Sequence, residues 1–263
     1  MKIFARILAH LGPALLFAAC SGGGYSPAPS PPPPNLPPPA SNVSRGGIWA
    51  GVDTDRVDVI ALVTETGRFR WVNEFFDQGF GNLNVDSDGE IASTFQMVTQ
   101  LGSTFIDGTT LANCKITGTL IVRQTMAVTV NCTTTAGLQS QSTITLNYNS
   151  IYERDSDLSV IAGIYDDAGL VLDVDANGVI FEQDPTTGCV TNGQVSVLDP
   201  EFNAYDVQFQ FENCSGQSSV LNGASFAGMA TLDNSVSPEA LIVGATGEVS
   251  GSLVALFGIS ERL

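Results

Sequence analysis

The chain has 263 residues, of which 10 are basic and 27 acidic, giving a formal net charge of −17. With 43% apolar residues it has material for one large core or two modest ones. Such acidity opposes binding to a phosphate backbone, which excludes nucleic acid as a partner, and it equally opposes a polybasic membrane patch.

Residues 1–19 have the form of a secretory signal. Lys2 and Arg6 precede an apolar stretch built on Ile7, Leu8, Leu11 and Ala14 to Phe17, and the small residues Ala18 and Ala19 follow. Gly12 and Pro13 interrupt the stretch, which is too short for a stable transmembrane helix. Leu16-Phe17-Ala18-Ala19-Cys20 resembles the lipobox of bacterial lipoproteins, with Phe17 where that family usually has leucine. The resemblance implies cleavage before Cys20, acyl chains on its sulfur and amine, and a membrane partner reached through them. Ser21 resembles the residue of lipoproteins sent on to the outer membrane, so the expected location is the outer membrane of a Gram-negative envelope. Cleavage removes Lys2, Arg6 and His10, leaving 8 basic and 27 acidic residues and a formal charge of −19 (8 − 27). His10 is the sole histidine, so the mature chain has neither a Ser-His-Asp nor a Cys-His constellation, nor a histidine metal ligand.

Residues 20–45 read as the lipidated cysteine and a disordered tether. Nine of the 13 prolines lie between Pro27 and Pro39, a density that favours extended polyproline II without a core.

From Gly46 onward the pattern is β. Tyr205, Val207, Phe209 and Phe211 alternate with Asp206, Gln208, Gln210 and Glu212, as in a half-buried antiparallel strand. Glu65-Thr66-Gly67, Asp86-Ser87-Asp88-Gly89 and Asp175-Ala176-Asn177-Gly178 separate strand-like runs as turns, and Leu253–Ile259 reads as a closing strand. No amphipathic helix of any length is evident.

The same features recur in order. Trp49-Ala50-Gly51 and a turn at Gly67 are echoed by Ile161-Ala162-Gly163 and a turn at Gly178. Later come Cys114-x-x-x-Gly118 and Cys189-x-x-x-Gly193, each followed by strand, turn, strand and then Asn131-Cys132 or Asn213-Cys214. The first copy carries an insert around Phe75–Gly108. The expected architecture is therefore all-β, with repeat units at 46–155 and 156–263, each a small antiparallel barrel or sandwich. A single larger barrel shared by both repeats is the alternative.

The lipid occupies Cys20, leaving four cysteines in an oxidising compartment and three possible pairings. Cys114 and Cys132 are equidistant from residue 123, and Cys189 and Cys214 straddle the loop Asp199–Asn203. Residues equidistant from a hairpin turn face each other at a separation suited to a disulfide. The expected bridges are Cys114–Cys132 and Cys189–Cys214.

Candidate chemistry is sparse. Asp173 to Ile180 matches the first half of a calcium loop, and Asn84, Asp86, Asp88, Gly89 and Ile91 echo it. The twelfth position, which should hold a bidentate Glu, holds Asp184 in one and Phe95 in the other. A hairpin turn explains both stretches. The acid pairs Asp53/Asp55 and Asp166/Asp167 raise glycoside hydrolysis, but the mature chain has just Trp49 and Trp71 to line a sugar cleft, and Trp49 suits a core. Lys115 sits within Cys-x-x-x-Gly on an expected strand, poorly placed to activate a hydroxyl. No catalytic residue, cofactor site or metal site is assigned.

The body also resembles bacterial lipoproteins of uncharacterised activity that combine a short Gly-[Trp/Tyr]-x-Gly-like start, a hairpin with an Asp/Asn-Gly turn and a Cys-x-x-x-Gly…Cys unit, most closely over 158–244. That resemblance implies location and fold. The expected function is a non-enzymatic binding or interaction module at the cell envelope, with a protein or a small apolar ligand as partner. A lipocalin-like carrier, which needs an open barrel interior, is the first alternative, and a carboxylate-dependent glycan hydrolase the second.

Overall fold

A computed structural model describes residues 44–263, apart from Ala168. The signal segment, Cys20 and nearly all of the proline-rich segment lie outside the described residues.

Two closed eight-stranded antiparallel barrels follow each other along the chain. The first comprises β1 (Gly47–Asp53), β2 (Asp58–Val63), β3 (Arg68–Asn73), β4 (Gln78–Asn82), β5 (Glu90–Val98), β6 (Leu111–Ile121), β7 (Thr125–Thr134) and β8 (Gln139–Asn149). A short helix, α1 (Leu158–Ile161), leads into the second. That barrel comprises β9 (Gly163–Asp167), β10 (Leu170–Val174), β11 (Val179–Gln183), β12 (Val190–Val197), β13 (Tyr205–Glu212), β14 (Ser225–Asp233), β15 (Ala240–Val249) and β16 (Ser252–Arg262). Within each barrel every strand pairs with its sequence neighbours, and closure comes from β1 on β8 and β9 on β16. The choice between one shared barrel and two thus falls to two.

Alternation accounts for the walls. In β6 the buried residues Ala112, Cys114 and Ile116 alternate with exposed Asn113, Lys115 and Thr117. Inward side chains fill the first barrel, with Trp49 against Tyr148 and with Phe69 and Trp71 both meeting Phe95 edge-on. The second barrel is packed in two zones. One is closed by α1 and centred on Ile161, Tyr165 and Tyr205; the other is aromatic, around Phe209, Phe211 and Phe226.

One turn is used repeatedly. At Asp53, Asn73, Asp86 and Asp175 the side-chain oxygen accepts hydrogen bonds from the backbone N–H groups two and four residues on. The fourth residue of each turn takes a positive φ, at Arg56, Phe76, Gly89 and Gly178 respectively. Gly178 is obligatory on a second ground, because a Cβ there would lie 2.4 Å from the Val195 carbonyl oxygen.

Both disulfides are present. Cys114 and Cys132 are direct partners in the β6–β7 register. In the second hairpin Val190 opposes Glu212, so strict continuation would set Cys189 opposite Asn213. Asn213 instead takes a φ of 58° and delivers Cys214, with a Cα–Cα distance of 3.9 Å.

The duplication holds as two eight-stranded barrels, but the cysteine hairpins do not correspond. The first is made by the sixth and seventh strands of its barrel, the second by the fourth and fifth of its own. The stretch that reads as an insert is β4 and β5, two wall strands. The second barrel compensates with three strands after its cysteine hairpin, where the first has one.

The barrels are locked together. Arg68 of β3 pairs with Asp206 at 2.6 Å and also donates to the Gly228 carbonyl. The buried Arg70 donates to Gln78 Oε1 at 2.7 Å, and across the contact to the Ala227 carbonyl and Thr246 Oγ1. Burial, with Arg68 adding repulsion, lowers its guanidinium to about 9. Gln78, fully buried, passes the contact on by donating to the Leu256 carbonyl at 2.6 Å.

The second barrel's seam depends on this contact. β1 and β8 share six register pairs, whereas β9 and β16 share two, Glu261–Asp166 and Arg262–Tyr165. The exposed length of the β16 edge is taken by the first barrel. Gln100 bridges Ala255 in parallel, Leu101 N–H donates to the Ala255 carbonyl, and Ala255 N–H donates to the Thr99 carbonyl. Leu101 joins the aromatic zone of the second core.

Candidate functional site

The outward side chains of β5 to β8 form the most distinctive surface of the molecule. Register aligns them in rows across the strands. One row runs Phe80, Gln96, Asn113, Thr133 and Gln139; the next runs Thr94, Lys115, Asn131 and Gln141, and Asn82 at the end of β4 lines the same groove. Further along, Thr117, Thr129 and Thr143 continue the pattern. A groove of about 1070 Å³ crosses the first two rows.

No carboxylate lines this groove, although the chain carries 27 acidic residues. Its outward side chains are amide and hydroxyl, with Phe80 at one edge and Lys115 between Thr94 and Asn131. Lys115 is exposed and has no hydrogen bond or ion pair among the described residues. The other basic side chains of the barrels, Arg56 apart, serve the fold. Arg45 donates to the Leu83 carbonyl, Arg154 to Asn203, and Arg68, Arg123 and Arg262 pair with Asp206, Glu153 and Glu239. Arg70 holds the barrels together. Gln141 donates to Asn131 Oδ1, which orients that pair, and the Cys114–Cys132 bridge on the inner side ties β6 to β7 beneath Lys115.

Chemically, an amide offers two donors and an acceptor, and a hydroxyl serves as either. The face can therefore meet a ligand rich in hydroxyl or amide groups and supply one positive charge. No pair of carboxylates lines the groove.

The residues singled out in the sequence are scattered by the fold. Asp53 uses Oδ1 to hold its own turn and Oδ2 to accept from Ser142, and Asp55 sits at the tip of that turn. Asp166 lies on the outer face of β9 and accepts from Gly169 N–H, while Asp167 points to the inner face. Asp175 holds a turn with the same oxygen a calcium ion would need, and the N–H groups of Val179 and Asn177 keep its carboxyl below the usual range. Asp184 is lowered likewise by the Thr187 hydroxyl and Thr186 N–H, and Phe95 is a core residue. Among the described residues no group of three or more His, Cys, Asp or Glu is placed to hold a metal ion. Trp49 and Trp71 are both core residues.

A second acidic spot lies at the wall of the second barrel, where Glu182 and Asp167 share the inner face with Leu172 and Leu170. Burial raises both carboxyls. Asp167 and Asp184 add repulsion at Glu182, and Asp166 does so at Asp167.

Residue-type reasoning missed the polar face of β5–β8, yet a signal for it exists. Between Ile91 and Tyr152 the sequence contains one acidic residue, Asp107, in a chain otherwise dense with them.

Comparison with known proteins adds no relative: no family model, no curated protein and no solved structure matches this chain.

Proposed function

We propose that this protein is a non-enzymatic binding module of the bacterial cell envelope. Acyl chains on Cys20 anchor it to the outer membrane, the proline-rich segment spaces it from the lipid, and the outer face of β5–β8 engages the partner. One observation carries the reading: a groove without a carboxylate, on the surface of a strongly acidic molecule, with an exposed unpaired lysine at its middle. An acidic protein is expected to show carboxylates over its surface, Glu90 at the start of β5 among them, and a groove free of them is a defined chemical patch. The side chains filling the first barrel support a site on the outside rather than within. The scattering of the candidate acid pairs supports binding without turnover.

The test has two parts. The full chain made in a Gram-negative host incorporates labelled palmitate, and the Cys20→Ser variant does not and is recovered in the soluble fraction. Purified protein is then incubated with isolated envelope polymers and footprinted by hydrogen exchange. Protection confined to β5–β8, with the polymer recovered intact, supports the reading. Protection elsewhere, or cleavage of the polymer, refutes it.

A further inference from the structure

We infer that the β5–β8 face takes a sparsely charged acidic polysaccharide, with Lys115 as the contact for a sugar carboxylate and the flanking amides as partners for ring hydroxyls. This inference rests on the binding reading above and narrows it to a ligand class.

The first argument is charge. Lys115 is the one cation of the groove, and nothing among the described residues neutralises it. An ammonium in a setting of amides and hydroxyls, with carboxylates kept away, is arranged for an anion from outside. A single cation on a molecule of formal charge −17 does not suit a dense polyanion, which the remaining surface repels. The ligand therefore carries isolated negative charges separated by neutral groups.

The second argument is hydrogen-bond chemistry. Thr94 and Asn131 stand opposite Lys115 on the two neighbouring strands, and Asn113 precedes it by two residues on its own strand. All three present groups able to donate and to accept, which is the complement a sugar hydroxyl requires. A face built to hydrogen-bond hydroxyls in this way discriminates against ligands lacking them, because its polar groups would be left unmatched.

The third argument is shape. The row from Phe80 to Gln139, next to that of Lys115, crosses five strands, roughly 19 Å at about 4.8 Å between neighbouring strands. A groove of that reach, about 1070 Å³ in volume, has room for several linked sugar rings. Phe80, with Arg70 packed 5.4 Å from its ring centre, forms a fixed apolar edge against which the C–H face of a sugar ring can rest.

The test uses the full chain and three probes: hyaluronan oligosaccharides, with one carboxylate per disaccharide; dextran, which is neutral; and polygalacturonate, with one carboxylate per sugar. Calorimetric titration is expected to give the tightest binding for hyaluronan. Lys115→Gln is expected to weaken it at least tenfold while leaving dextran titrations unchanged, and Lys115→Arg to retain most of it. Because Lys115 is exposed, both variants keep the wild-type circular dichroism and melting curve, which separates lost contact from lost fold. The inference is overturned if hyaluronan binds Lys115→Gln as well as wild type, or if polygalacturonate binds most tightly. It is overturned too if none of the three binds. In that last case a hydrogen-exchange footprint on β5–β8 from another envelope polymer would leave the binding reading standing, and a footprint elsewhere would remove both.

Discussion

Replacing Gln78 with alanine should uncouple the two barrels. The Gln78 side chain is fully buried and makes two hydrogen bonds: its Oε1 accepts from Arg70 at 2.7 Å, and its Nε2 donates to the Leu256 carbonyl at 2.6 Å. The first involves a charged donor and is worth about 1.5–3 kcal/mol; the second, between neutral groups, about 0.5–1.5 kcal/mol. Arg70 would be left buried without its nearest acceptor, so the loss should total about 3 kcal/mol. For a folded unit of this size that corresponds to a Tm drop of about 6–12 °C. The assay exploits the position of Trp49 and Trp71, the chain's two tryptophans, both in the first barrel. Fluorescence therefore follows the first barrel alone, while far-ultraviolet circular dichroism follows both. In the wild type the two urea transitions should coincide. In Gln78→Ala the dichroism transition should begin at lower urea, as the second barrel separates from the first. Coincident transitions with an unchanged midpoint would refute the coupling argument.

Three further outcomes follow from the geometry. Gly178→Ala forces a side chain onto a φ of 79° and against the Val195 carbonyl, and should cost about 2 kcal/mol, read as a lowered dichroism midpoint. Replacing Cys189 and Cys214 together with alanine opens a cross-link between residues 25 apart and should cost about 3 kcal/mol; a urea midpoint unmoved by this change or by reductant would count against it. Burial places the folded pKa of Glu182 above its unfolded value, so the protonated form stabilises the fold fully below the unfolded pKa and that contribution is lost as pH rises through the folded one. Glu182→Gln should therefore raise the Tm at pH 7 and leave it unaltered near pH 3; equal shifts at both would show that the effect is not one of ionisation.

Much of the wall was legible in the sequence, because inward and outward positions differ in polarity wherever one face meets water. β13 and the closing strand β16 read correctly on that basis, and so did both disulfides. The pairing of Cys189 with Cys214 came from symmetry about the loop, although the ladder itself is offset by one residue and Asn213 absorbs the difference. β4 was not legible. Its sequence, Gln78-Gly-Phe-Gly-Asn82, lacks alternation because Gly79 yields its inward space to the Trp71 ring, where a Cβ would stand 2.2 Å from Nε1. Gln78 and Arg70 were illegible for a different reason: their burial comes from docking of the second barrel, and a polar residue on a strand looks solvated until that partner is in place. Residue by residue, the β5–β8 face has nothing unusual to read. Only the scarcity of acids across the whole segment distinguishes it.

The uneven seams impose an order on folding. A chain made from its N terminus completes the first barrel before the last strands of the second exist, and that barrel closes on itself with six register pairs. When β16 arrives, the strip from Thr99 to Leu101 is already waiting as a template for its exposed edge. An open strand edge is the part of a β protein most prone to recruit a second molecule. Here the earlier-made half of the chain chaperones the later one, so a circular permutant that places the second barrel first should aggregate during refolding where the natural order does not.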